Sequence, residues 1–170
     1  FVGYNLLTAL LWMLSGALTL RLVRTLQPQA PPWIQAAAGV TMMMAPWTQY
    51  TVRNGSVDFL LFPLLLVLIM GLIRVDQGKI THSRWLIGGS LIALSLSNFY
   101  YLLSGLVCLA IGVARWTRHW PSWSASERRE LSLSTGLTLV IAALPCIAQL
   151  RIIEMVDTEA RTTLLSQPFS

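Results

Sequence analysis

Five apolar runs, separated by short polar stretches, organise the chain. They lie at about 4–24, 32–52, 57–74, 85–114 and 131–150. Within them the hydrophobic residues are continuous, without the alternation of a half-buried strand. Four of the runs suit the roughly 20 residues that a helix needs to cross a bilayer. Backbone groups in lipid must be paired within the protein, which leaves helices or a closed barrel. Continuous runs select helices. The pattern therefore predicts an all-α fold, a polytopic transmembrane helix bundle.

The fourth run, "WLIGGSLIALSLSNFYYLLSGLVCLAIGVA", has 30 residues. As one straight helix it would reach about 45 Å, against a hydrocarbon core of about 30 Å. It either tilts strongly or breaks at "SLSNFYY" into segments 85–97 and 99–114. Charge favours the break. With a hairpin here, the loops 21–31, 74–84 and 115–130 share one side. They hold Arg21, Arg24, Arg74, Lys79, Arg84, Arg115, Arg118, Arg128 and Arg129, nine of the twelve basic residues. A single helix would split them seven to five. Basic residues concentrate on the cytoplasmic side. The hairpin gives about six membrane segments, some short or kinked, and halves this short survive only when packed inside other protein. Residues 1–150 then form the membrane region, and 151–170 begin an extracytoplasmic segment with Glu154, Asp157 and Glu159. The expected location is the cell (inner or plasma) membrane, multi-pass.

Composition supports this class. Of 170 residues, 55% are hydrophobic and 11% charged, and the mean hydropathy is +0.63. Soluble domains carry about 25% charged residues. The net charge of +5 does not point to nucleic acid, because the basic residues flank apolar runs instead of forming one patch. Cys108 and Cys146 lie in separate apolar runs and His82 and His119 in polar loops, so no metal-ligand spacing exists and no cofactor is expected. The chain opens on Phe1 close to an apolar run, without the basic start of a signal peptide. The missing initiator methionine, with Ser170 closing the chain without a stop-like element, predicts a piece of a longer protein. Small residues recur every four positions at Gly89, Ala93 and Ser97 and at Ser104, Cys108 and Gly112, spacing that lets helices approach closely in lipid. Pro46, Pro63 and Pro145 fall in apolar runs, where each removes a backbone donor.

Three stretches could carry chemistry. In "QYTVRNGSVDFLLF" (49–62), Asn54-Gly55 is a turn signal, Ser56 suits a helix N-cap, and Asp58 suits the positive end of that helix. The same residues admit a functional reading. Arg53 and Asn54 would stand on the outer face, where an arginine fork and a helix N-terminus attract a lipid-linked phosphate. In "SNFYY" (97–101), Asn98 must find a partner or line a wet cavity. Tyr100 and Tyr101 suit either an interfacial aromatic belt or the wall of a sugar or lipid pocket. In "RWTRHWPSWSASERRE" (115–130), Trp116, Trp120 and Trp123 among arginines predict a cytoplasmic surface segment touching anionic lipid. Ser124 or Ser126 ahead of Glu127 and Glu130 predicts a capped helix start.

The succession "QYTVRNGSVDF", "LLFPLLLVLIMGLIR", "VDQGKITHSR" and "WLIGGSLIALSLSNFYYLLSG", with the tail "RTTLLSQPFS", resembles the middle of bacterial multi-spanning glycosyltransferases of the GT-C type. The resemblance implies transfer of a sugar from a polyprenyl-phosphate donor on the extracytoplasmic side. The partners it implies are membrane lipid and a lipid-linked sugar donor. In that family the catalytic acid usually sits in the first outer loop near the N-terminus. No residue here matches it, so the catalytic acid is expected upstream of Phe1. Arg53, Asn54 and Asp58 would face the donor cavity, with Asn98, Tyr100 and Tyr101 as further substrate-binding candidates. The competing readings are a transporter or flippase-like bundle and a purely structural membrane protein. Against ion-coupled transport, no Asp, Glu or Lys lies mid-helix.

Overall fold

The computed structural model describes residues 2–45, 62–97 and 99–165. These residues are all-helical, with no strand among them. Among the described residues six α-helices follow in order: α1 (Val2–Leu26), α2 (Pro32–Met44), α3 (Phe62–Asp76), α4 (Ile80–Ser97), α5 (Phe99–His119) and α6 (Ala125–Leu165). A short 3-10 turn, Trp120–Ser122, joins the last two. Among the described residues one helix, Gly3–Leu26, is long and apolar enough to cross a membrane.

The first two helices form an antiparallel pair. Pro31 and Pro32 start α2, where a missing N–H costs nothing. The two helices meet at glycines: a Cβ on Gly39 would stand 2.8 Å from the Gly16 carbonyl oxygen. Trp12 donates its indole N–H to the Met43 carbonyl at 2.9 Å, tying the far end.

The second region is a cluster of α3, α4 and α5, with α6 against α4. Its core is Leu68, Leu72 and Val75 of α3, Ile80, Ile87, Leu91 and Leu94 of α4, Leu109 and Trp116 of α5, and Trp123 and Leu131 beyond them. Residues 85–114 fall in two helices, and α5 folds back on α4: Gly105 packs against Leu91 and Leu94. The glycines that make close contacts are Gly71 on Ile87, Gly88 on Thr138, Gly105 and Gly112 on Leu72. Gly89 has open space where a side chain would be. The expected stripe Gly89–Ala93–Ser97 is therefore not the seam. On α4 the seam runs through Ile87, Leu91 and Leu94, because the core side is set by the large residues.

The turn from α3 to α4 has a specific cause. Gly78 adopts φ +79°, the Lys79 N–H donates to the Arg74 carbonyl at 2.9 Å, and the Gly78 N–H donates to Val75 at 2.9 Å. This is a Schellman closure, which requires a left-handed residue past the helix end. Pro63 lies in the first turn of α3, where it needs no donor. Pro145 lies inside α6, a helix of 41 residues.

Candidate functional site

The polar ends of the helices gather at one pole. The Gln77 amide reaches the Thr25 carbonyl at 3.4 Å, joining the ends of α1 and α3. Arg84 at the start of α4 pairs with Glu130 at the start of α6, at 2.8 Å. Arg115 near the end of α5 pairs with Asp76 at the end of α3, at 2.7 Å. His119 Nε2, one turn beyond Arg115, lies 3.5 Å from the other Asp76 oxygen. The pole carries nine Lys and Arg residues against three carboxylates, Asp76, Glu127 and Glu130.

The base of α6 is closed by a capping box. The Ser124 N–H and hydroxyl both donate to Glu127 Oε2, at 2.8 and 2.7 Å. The Glu127 N–H donates back to the Ser124 hydroxyl at 3.3 Å. The Ser124 side-chain bond, then its backbone bond, holds the Glu127 carboxyl below the usual carboxylate range. Of the two serines the sequence offered, Ser124 is the cap.

The tryptophans correct a second expectation. Trp116 and Trp123 are buried, 4% and 8% exposed, and belong to the core instead of a lipid-touching surface. The 3-10 turn brings Trp123 back over Trp116, ring centroids 6.4 Å apart, and against Trp120 at 5.9 Å. The three rings seal the base between α5 and α6. Only Trp120 keeps a substantial exposed face.

Between the ends of α1, α3 and α5 lies an open groove of about 400 Å³. Leu26, Ile69, Ile73, Cys108 and Ile111 form its apolar length, and Thr25, Asp76, Gln77 and Arg115 its polar end. A second groove of about 410 Å³ runs between α4 and α6, past Gly88, Gly89, Ser134 and Thr138.

Arg53, Asn54 and Asp58 lie in 46–61, and Asn98 at the α4–α5 junction; all four are outside the described residues. Tyr100 lies in α5, its side chain outside what is described. Tyr101 is half-buried against the core cluster, which fits a packing position better than an interfacial belt. Sequence reading passed over the Asp76–Arg115–His119 cluster. One signal existed: Asp76 and Asp58 are the only carboxylates before Glu127. Comparison with protein families, with curated proteins and with solved structures gives no match to this chain.

Proposed function

We propose that the chain is a multi-pass helical segment of an integral membrane protein, inserted with its charged pole at the cytoplasmic face. The observation that carries this reading is the inverted burial of α1. That helix buries Thr8, Ser15 and Gly16 and exposes Leu6, Leu7, Leu10, Met13 and Leu14. On α6, Leu133, Leu137, Val140, Leu144 and Ile147 are exposed in the same way. Water does not tolerate contiguous apolar surface on this scale, whereas lipid does. Four hydroxyls in the apolar stretches close on their own helices, Ser15 donating to Leu11, Thr19 to Ser15, Ser90 to Leu86 and Ser95 to Ile92, while the buried Thr8 hydroxyl has no partner among the described residues. Self-satisfied hydroxyls of this kind suit a medium without water. Nine cations at one pole fit the positive-inside bias.

Topology tests the reading directly. In intact cells expressing the full-length protein, Ser122→Cys should resist a membrane-impermeant maleimide added outside, and Ala45→Cys should react. Equal reaction of both, or recovery of the protein without membranes, rejects it.

For activity, the proposal is a glycosyltransferase that takes its sugar from a polyprenyl-phosphate donor at the opposite, extracytoplasmic face. Its support is the resemblance of residues 49–105, with the tail 161–170, to GT-C enzymes. Membranes carrying the full-length protein should transfer sugar from such a donor, and Arg53→Ala should raise the KM for it. Unchanged kinetics removes Arg53 from the site. No transfer by correctly inserted protein discards the activity and leaves the membrane reading intact.

A further inference from the structure

The groove between α1, α3 and α5 has the polarity of a phospholipid. Along α5 its wall runs from Cys108 through Ile111 and Gly112 to Arg115. Arg118 and His119 continue that face one turn on, since positions three and four apart share a helix face. The apolar length points toward the middle of the helices and the cationic end toward the charged pole. Gly112 sets the depth: a Cβ there would meet Leu72 at 2.9 Å, so α5 lies close to α3 and Leu72 forms the floor. Arg115 is two-thirds exposed, and its recorded bond is a single one, from Nη2 to Asp76 Oδ2. The rest of its five-donor fork is available to an acceptor.

We infer that this groove binds one anionic phospholipid of the phosphatidylglycerol type from the cytoplasmic leaflet. One of its two acyl chains lies along Ile69, Ile73, Cys108 and Ile111, and its phosphate meets Arg115. The choice of an anionic lipid follows from charge: the pole as a whole carries nine cations against three carboxylates, and the one carboxylate in the groove lining, Asp76, is paired with Arg115 through Oδ2. Each arginine near an anionic leaflet adds about 1 kcal/mol of attraction, about fivefold in binding. The inference rests on the membrane reading above but not on the glycosyltransferase activity.

Cys108, a half-buried free thiol in the groove wall, reports on occupancy. The full-length protein is reconstituted into vesicles of phosphatidylcholine alone or with added phosphatidylglycerol. Alkylation of Cys108 by neutral N-ethylmaleimide is then followed on its own peptide by mass spectrometry. Phosphatidylglycerol should slow the reaction about fivefold, the weight of one arginine contact. Arg115→Gln should abolish that lipid dependence. So should Ile111→Trp, which fills the groove and leaves the Asp76–Arg115 pair in place. Equal rates in both lipids overturn the inference, as does protection that survives both substitutions, which would be a surface-charge effect. Flotation of the same vesicles separates the two readings: protein that fails to float refutes membrane insertion itself, whereas floating protein without protection refutes only the lipid site.

Discussion

The α1–α2 pair and the α3–α4–α5 cluster are held together by opposite means. In the cluster, large side chains are inside: Leu68, Val75, Leu91 and Leu94 have no exposed surface. In the pair, small residues are inside and large ones outside. Gly16 and Gly39 bring two backbones together, while Leu6, Leu10, Met13 and Val40 point away. The cluster would hold together in water or in lipid, because close packing of large side chains contributes dispersion in both. The pair has little reason to form in water, where its leucines would turn inward. In lipid those leucines gain nothing by association, and helices meet where small residues let them approach. The burial pattern of the pair therefore supports the proposed membrane reading, and the cluster provides the packed body on which the charged pole is built.

The cluster should respond most to loss of volume. Leu94→Ala removes a fully buried side chain that Gly105 packs against and should cost about 3 kcal/mol, measured by denaturant titration in detergent micelles. Leu10→Ala, on the exposed face of α1, should change stability little. A cost at Leu10 equal to that at Leu94 would erase the distinction between the two regions.

The pair should respond to added volume instead. Gly39→Leu would drive a side chain into the Gly16 carbonyl, a backbone atom that cannot swing aside. Overpacking of this kind costs about 2–3 kcal/mol. The Trp12 to Met43 bond lies at the far end of the same contact, so a shifted Trp12 fluorescence should accompany the loss. Gly89→Leu, into open space, is the control and should be tolerated.

The solvent itself is tested by Leu10→Arg. In the middle of a lipid-facing helix an arginine costs about 2.5 kcal/mol of insertion free energy, so the inserted fraction should fall in a translocation assay. If Leu10 faces water, the same change would raise yield and solubility, and the contrast between the two regions would lose its meaning.

The helical class was legible because continuous apolar runs leave few alternatives. The clustering of basic residues was legible for the same reason, since charge is confined to the ends of the runs. The seams were not. Gly88 and Gly89 are adjacent, but one helical step rotates a side chain by about 100°, and only tertiary packing decides which of them meets Thr138. The tryptophans misled because interfacial and core tryptophans look alike in sequence. Only the turn at 120–122 returns Trp123 onto Trp116. The Asp76–Arg115 pair joins residues 39 apart in sequence, a separation that no local pattern encodes. The turn at Gly78 was readable in principle, and Gly78→Ala should cost about 1–2 kcal/mol, because alanine resists the left-handed region.

The smallest effect lies at the start of α6, in the part of the cluster exposed at the pole. Glu127 accepts two bonds from Ser124, so its carboxyl titrates below the ordinary range. A group whose folded pKa is depressed contributes stability that is present above its unfolded pKa and lost as pH falls through the folded one. The capping box should thus be intact at neutral pH and fail only under acid conditions below the usual glutamate range. Glu127→Gln keeps an acceptor for the Ser124 bonds but removes the charge, so it should flatten this acid dependence and lower stability slightly at neutral pH. The exposed site keeps the effect small, because solvent screens the charge. Amide hydrogen exchange at 125–128 provides the reading: protection should decline with acid in the parent and stay level in the variant. Parallel decline in both would place the acid-sensitive group elsewhere at the pole.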